Sequence, residues 1–406
     1  MTVASTGAPA VQTEAEVLDR AAIVGLGITD VGKIYGRTAA DFAAEAVRIA
    51  VADAGLTLDD VDGLLLSNGI TGGVDLRLAR DLGMQDLRLL SNVVAYGATA
   101  TTQVQIAAAA VASGMASVVV CVHADAPLQA PGVSSGAVYS GAARTRAATG
   151  LTAMAVASGV RSANSGYALA ARRHMEHYGT TSEQLGAIAV AQRAWAAMNP
   201  LARFRDPITV ADHQASRWVV EPLHLLDCCV VSNGGIAIVV TTADRARDLA
   251  QPPVYVWGAA QCHPGYTMAR DCDFGLRTGG AVAGPAAMAM AGVTPADVDI
   301  RELYDCYTYT NLVTLEDYGF CAKGEGGALA ASGVLAPGGS LPTNTGGGQL
   351  SAYYLWGMTP LSEAVIQVRG HGGARQVPRH DVAVVSGNGG TLDHHATLVL
   401  GSGPRP

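Results

Sequence analysis

Charge is scarce in this sequence: only 15% of its 406 residues are charged, against a hydrophobic share of 49%. There is no dense Lys/Arg run, and the formal net charge is -8, so the chain offers no basic field to nucleic acid or anionic lipid. The seven cysteines are odd in number and lack CxxC spacing, which argues against a disulfide framework and fits reduced thiols in a cytoplasm. The N-terminus has no basic start before an apolar core and does not read as a signal peptide. No uninterrupted, Gly-free apolar run is long enough to suggest a membrane span. Met1 to about Leu18 reads as a disordered tail. Aromatics make up only 5% of the chain.

Glycine is plentiful, at 49 residues, and suits helix and sheet layers that approach closely. The chain also repeats itself. ADAGLTLDDVD from Ala52 to Asp62 and AMAGVTPADVD from Ala289 to Asp299 agree at seven of eleven positions. Each stretch closes an Ala-rich helix before a turn and a strand. A duplicated α/β unit follows, and two halves packed together create a cleft where chemistry is expected.

Buried-strand and amphipathic-helix patterns alternate from Ala21 through the SVVVCVHAD strand at Ser117, which predicts a βαβα half. Between about Ala124 and Leu226 the alternation breaks down into Gly/Ser/Ala-rich loops and helical stretches, expected to form a loop subdomain or ligand wall. The first half ends with GGIAIVVTT and the second begins at PPVYVWGAA. The predicted units are a tail (1–18), an N-terminal half (19–250) with the loop subdomain at about 124–226, and a C-terminal half (251–406).

Several blocks in order carry a resemblance: AIVGLG in the first strand, HMEHYGTTSEQLGAIA and LDCCVVSNGG in the middle, ELYDCYTYTN, and NTGGGQLSAYYLWG towards the end. Together they resemble the thiolase superfamily, in particular the sterol-carrier-protein-X type and its lipid-transfer-protein branch, over nearly the whole chain. The resemblance implies an α/β thiolase fold of duplicated halves in five αβαβα layers, a homodimer, and coenzyme A thioesters as substrates.

Departures from the family pattern shape the functional expectation. Aligned on Gly97, the family's nucleophilic cysteine falls at Val94, and neither Ala95 nor Tyr96 supplies a thiol, so covalent acyl transfer lacks its nucleophile. The second family cysteine falls at Ser386 or Gly387, depending on the alignment. Tyr354 stands at the histidine of the GHP block, and Tyr304 at the histidine or asparagine of the HDCF-type block. Two phenols without thiols resemble thiolase-like aldolases that shorten steroid side chains by retro-aldol cleavage of a β-hydroxyacyl-CoA, releasing a ketone and a short acyl-CoA such as propionyl-CoA.

That reaction needs a base, an acid and an oxyanion site. Tyr354 is assigned as base and Tyr304 as acid, with the reverse order open and Tyr353 a rival for the cleft-facing phenol. Backbone N–H groups of Gly346, Gly347 and Gly348, ahead of a helix expected to carry Tyr354 and ordered by Asn344, are candidate oxyanion donors. Gly389 and Gly390 are a second candidate. Plain loop roles compete with both glycine runs, and a strand-end aromatic with a merely hydrogen-bonded hydroxyl is the competing reading of Tyr304. His394 and His395, with Asp393, lack a third spaced donor and do not read as a metal site; a structural role competes with a supporting one. Cys306 is the thiol to test for reactivity, Asp305 reads as structural, and Cys228 and Cys229 as packing.

No metal or redox cofactor is expected, since coenzyme A is part of the substrate. Arg172, Arg173 and His174 could meet its phosphates, although a solvated face explains them equally well. The resemblance also implies a small OB-fold, zinc-ribbon acyl-CoA-binding partner in a heterotetramer around a thiolase-like dimer. The rivals are a degenerate thiolase or acyltransferase using another cysteine, and a non-catalytic CoA-ester or lipid carrier.

Overall fold

The computed structural model describes residues 20–131, 149–160, 162–265 and 273–405; the tail expected from Met1 to Leu18 lies outside them. The first half contains β1 (Ala21–Ile28), α1 (Ala39–Asp53), β2 (Gly63–Asn68), β3 (Leu89–Asn92), α2 (Thr99–Ala112) and β4 (Val118–Asp125). Next come α3 (Ala163–Tyr178), α4 (Ser182–Ala196), a hairpin of β5 (Trp218–Val220) and β6 (Leu223–His224), and β7 (Gly234–Thr242). The second half contains β8 (Val254–Cys262), α5 (Gly280–Ala291), β9 (Ile300–Glu302), α6 (Thr308–Asp317), α7 (Met358–Val368), β10 (Val382–Gly389) and β11 (His394–Gly401).

The duplicated motif reappears as duplicated hydrogen bonding. Gly55 and Gly292 follow their helices at φ +73° and +71°, a conformation that favours glycine. The Thr57 N–H then donates to the Asp60 carboxylate at 2.9 Å, and the Thr294 N–H to that of Asp297 at 2.8 Å. Asp62 accepts the N–H groups of Ser117 and Val118 at 2.8 and 2.9 Å, tying the start of β2 to the start of β4. Asp299 does the same for β9 and β10 through Asp381 and Val382, at 3.0 and 3.1 Å.

The glycine content has a matching cause. A Cβ on Gly25 of β1 would lie 2.2 Å from the Ala50 carbonyl oxygen of α1, and one on Gly258 of β8 would lie 2.2 Å from that of Ala287 in α5. Each half therefore presses an Ala-rich helix directly onto a strand backbone, and any side chain there would separate the layers.

Among the described residues nine strands form one mixed sheet, in the order β3-β2-β4-β7-β1-β8-β11-β10-β9. The two half-sheets meet where Ala22 and Ile23 of β1 pair with Tyr255 and Val254 of β8. Helices α2 and α7 each pack against strands from both halves. Val104, Ala108, Leu361 and Val365 from these helices share one core with Ile238, Val240, Leu398 and Leu400. With α1 and α5 packed on the outer faces of the two half-sheets, the order of layers is helix, half-sheet, helix, half-sheet, helix. The described part of the expected loop subdomain is richer in helix than that name suggests, because α4 buries its apolar face on the second half and α3 is tied to that half through Tyr167, Arg173 and His174. Among the described residues no helix is long and apolar enough to cross a membrane.

Candidate active site

The segment after β9 is held residue by residue. The Asn344 side chain accepts the Leu303 N–H at 2.7 Å and donates to the Leu303 carbonyl at 2.9 Å, acting as a neighbouring strand would. The Tyr304 N–H donates to Ser386 Oγ at 2.9 Å. The Asp305 carboxylate accepts the Gln349 N–H at 2.9 and 3.0 Å, and the Cys306 carbonyl accepts the Cys229 N–H at 3.1 Å. Burial pushes the Asp305 carboxyl up to about 7, against the pull of these hydrogen bonds.

Tyr354 is not on a helix, as the sequence reading expected. It follows a π-type turn at Gly348–Ala352 and extended backbone at Tyr353, four residues before α7 begins. The cause lies elsewhere in the chain: Asp305 holds the turn through Gln349, Val230 donates its N–H to the Gln349 carbonyl at 2.8 Å, and the Tyr354 N–H donates to Ser232 Oγ at 3.1 Å. Tyr353, the rival phenol, is buried with its hydroxyl 3.3 Å from Ser362 Oγ.

These constraints bring the Tyr304 and Tyr354 hydroxyls to 3.0 Å, with the rings edge to face. Tyr304 is buried and Tyr354 half-buried. Gly97 closes the site from the first half: a Cβ there would stand 2.4 Å from the Tyr304 hydroxyl and 2.2 Å from the Asn388 carbonyl oxygen. Gly97 lies in the turn leading into α2, while α6 and α7 each start four residues beyond one of the tyrosines. Gly357, just before α7, packs in turn on Gly97, where its Cβ would meet the Gly97 carbonyl oxygen at 2.5 Å, so the N-termini of α2 and α7, each carrying roughly half a positive charge, adjoin the residue that meets the Tyr304 hydroxyl and favour negative charge there.

The glycine run at Gly346 to Gly348 has a packing role. Its Cβ positions would meet Glu363, Ala196 and Asp305, and the Gly347 N–H is already donated to the Asn344 carbonyl at 2.8 Å. This corrects the expectation that Gly347 offers a free oxyanion donor. Gly389 lies nearer the α2 turn, where its Cβ would meet the Ala95 carbonyl oxygen at 2.0 Å, and Gly390 sits at φ +65°.

The two histidines separate in role. His395 is buried, with Nε2 2.8 Å from the Tyr318 hydroxyl, and burial pulls its pKa down to about 3, so the ring is neutral. His394 is partly exposed, stacks on Tyr96 and places Nδ1 3.1 Å from His263 Nδ1. Among the described residues no group of three His, Cys, Asp or Glu side chains is arranged to hold a metal ion. Cys306 is buried, and desolvation raises its thiol pKa far from the thiolate range.

The residues of the possible phosphate cluster on α3 each have a protein partner. The His174 ring is buried between Thr180 and Glu316, at 3.0 Å from each. Arg173 donates to the Phe274 carbonyl at 3.0 Å, and Arg172 pairs with Glu221 at 3.2 Å. Sequence reasoning also missed Tyr167 and Asn388. The Tyr167 hydroxyl donates to the Gly390 carbonyl at 2.7 Å and accepts from Asn388 Nδ2 at 2.8 Å, fastening α3 to the Gly389–Gly390 turn. No local pattern marks Tyr167; its partners are more than two hundred residues away.

Comparison with known proteins agrees with this architecture. Residues 21–243 match the family described as thiolase, N-terminal domain, and residues 260–402 match thiolase C-terminal domain-like. The chain is 42% identical over 377 residues to the steroid side-chain-cleaving aldolase of Thermomonospora curvata, covering 91% of this chain and 95% of that protein. It is 44% identical over 359 residues to the 17-hydroxy-3-oxo-4-pregnene-20-carboxyl-CoA lyase of Mycobacterium tuberculosis, covering 86% and 92% of the two. The solved Ltp2-ChsH2(DUF35) aldolase superposes with a TM-score of 0.85 at 40% identity, covering 95% of this chain and 98% of that one. Human mitochondrial 3-ketoacyl-CoA thiolase, with a TM-score of 0.68 at 16% identity, shares the fold. Both family domains in sequence, with relatives aligned over most of its length, show that this chain belongs to the thiolase superfamily.

Proposed function

We infer that this chain is a carbon-carbon lyase that cleaves a β-hydroxyacyl-CoA by a retro-aldol reaction, acting on a steroid side-chain thioester and releasing a ketone and a short acyl-CoA such as propionyl-CoA. The observation that carries this reading is the 3.0 Å contact between the Tyr304 and Tyr354 hydroxyls, at positions where other thiolases place imidazole or amide groups. Val94, at the nucleophile position, is 63% exposed and has no reactive atom.

The chemistry balances on these two groups. One phenol, as phenolate, takes the proton of the β-hydroxyl. The bond between the α and β carbons breaks, its electron pair forming a thioester enolate as the hydroxyl carbon becomes a ketone. The other phenol gives its proton to the α carbon, and transfer across the phenol pair restores the starting state. A phenol's ordinary pKa of about 10 makes the base form costly, and the helix N-termini and the neighbouring hydroxyl offset part of that cost. We assign Tyr354, the more accessible phenol, as base and Tyr304 as acid. Gly389 and Gly390 are proposed for the enolate oxygen, with Asn344 positioning Tyr304. The reaction requires no metal or redox cofactor.

We further propose a cytoplasmic homodimer bound to a small OB-fold, zinc-ribbon partner in a heterotetramer. The Ltp2-ChsH2(DUF35) relative supports the partner, and the edge position of β3, with Leu90 exposed, supports the dimer. The test is an assay of purified protein, with and without the partner, on a tertiary β-hydroxyacyl-CoA. Ketone and acyl-CoA are expected in equal amounts. No ketone under any condition would instead indicate a CoA-ester carrier.

A further inference from the structure

We propose that Tyr96, flanked by Trp356 and His394, forms the subsite on which the rigid polycyclic body of the substrate lies. The inference rests on the aldolase reading and adds a location and a specificity-determining residue to it. Tyr96 is 48% exposed in a chain with few aromatics, yet its backbone is held at φ +51°, uncommon for a bulky residue. Its ring lies nearly parallel to His394, with centroids 6.0 Å apart, and 6.1 Å from Trp356. Trp356 also has positive φ, at +50°, and stacks at 4.9 Å on the buried His123 ring. The exposed phenol ring thus meets Trp356 at a tilt of 57°, and Trp356 in turn stacks on the buried His123.

Position connects this ledge to the reacting bond. Tyr96 precedes Gly97, which meets the Tyr304 hydroxyl, and a Cβ on Gly389 would lie 3.2 Å from the Tyr96 Cβ. Trp356 follows Tyr354 by two residues. When the scissile bond joins a side chain to a ring, the hydroxyl sits on the ring itself, so the polycycle must begin within a bond or two of the phenols. Among the described residues, the exposed apolar side chains next to Gly97 in the chain are Tyr96 and Val94. A flat fused-ring hydrocarbon gains contact area from an aromatic face, whereas a short acyclic chain reaches little of it.

The test uses the protein with its small partner and compares kcat/KM for a polycyclic and an acyclic tertiary β-hydroxyacyl-CoA. Tyr96→Asn removes the ring but tolerates positive φ; Tyr96→Phe keeps the ring. Tyr96→Asn should lower the preference for the polycyclic ester about tenfold, chiefly through a higher KM, and Tyr96→Phe should retain it. An unchanged preference in Tyr96→Asn, or an equal fall for both esters, would overturn the subsite. If wild type cleaves neither ester, the aldolase reading fails separately. Calorimetric binding of the polycyclic ester then decides the subsite, with weaker binding to Tyr96→Asn supporting it and equal binding overturning it.

Discussion

The hydroxyl of Tyr304 lies 3.0 Å from that of Tyr354, fifty residues further along the chain. Neither side chain is placed by its own secondary structure: Ser386 holds the backbone of one and Ser232 that of the other. Groups coupled this closely should fail as a unit. Tyr304→Phe and Tyr354→Phe should each lower kcat by about 10²- to 10⁴-fold, with the Kd for substrate within about threefold of wild type. The double variant should fall less than about tenfold below the worse single variant. Multiplicative losses in a double-mutant cycle would show that the phenols act independently.

Gly97→Ala tests the closure of the site. The added methyl would meet the Asn388 carbonyl oxygen at 2.2 Å and the Tyr304 hydroxyl at 2.4 Å; the first obstacle is backbone and cannot rotate away. Overpacking of this kind costs about 1–3 kcal/mol, so Tm should fall by several degrees. Activity should fall more than about tenfold because the phenol pair is displaced. A folded, fully active Gly97→Ala protein would mean that the site has more room than this geometry allows.

Asp305 makes a prediction in pH. Its folded pKa is raised from 3.8 to about 7, so between those values the native state binds a proton that the unfolded state has released. The linkage slope is therefore negative: this group's contribution to stability falls as pH rises from about 4 to 7 and is level above. Asp305→Asn should remove that component, so the difference in Tm between wild type and variant should change across pH 4–7 and flatten above it. The variant should also lose activity, because the amide cannot accept the Gln349 N–H through both positions. A pH-independent Tm difference would contradict this account.

Tyr167→Phe would remove the hydroxyl that joins Gly390 to Asn388. The buried Asn388 amide and the half-buried Gly390 carbonyl would lose their partner, at a cost of about 1–3 kcal/mol. Denaturant unfolding should show this as a lower midpoint with an unchanged m-value. An unchanged midpoint would mean that the fastening of α3 to the Gly389–Gly390 turn is dispensable.

The fold was legible because duplication leaves a chemical trace: Thr57 with Asp60 and Thr294 with Asp297 are the same cap written twice. The tyrosines were legible as substitutions within otherwise recognisable blocks. The path of Tyr354 was not, since Asp305 and Ser232 impose the π-type turn and the extended backbone from outside the segment. For the same reason His174, on a face that reads as solvated, proves to be buried against Glu316, 142 residues away. Side-chain periodicity reports which face is apolar, and it carries no information about a polar partner supplied by a distant element.

The central claim is carbon-carbon scission without a sulfur-bound intermediate, and mass spectrometry of the protein quenched during steady-state turnover tests it most directly. The account predicts ketone and acyl-CoA accumulating while every cysteine-containing peptide keeps its unmodified mass, Cys306 included. An acyl group attached to any cysteine at a level that rises and decays with turnover would contradict it.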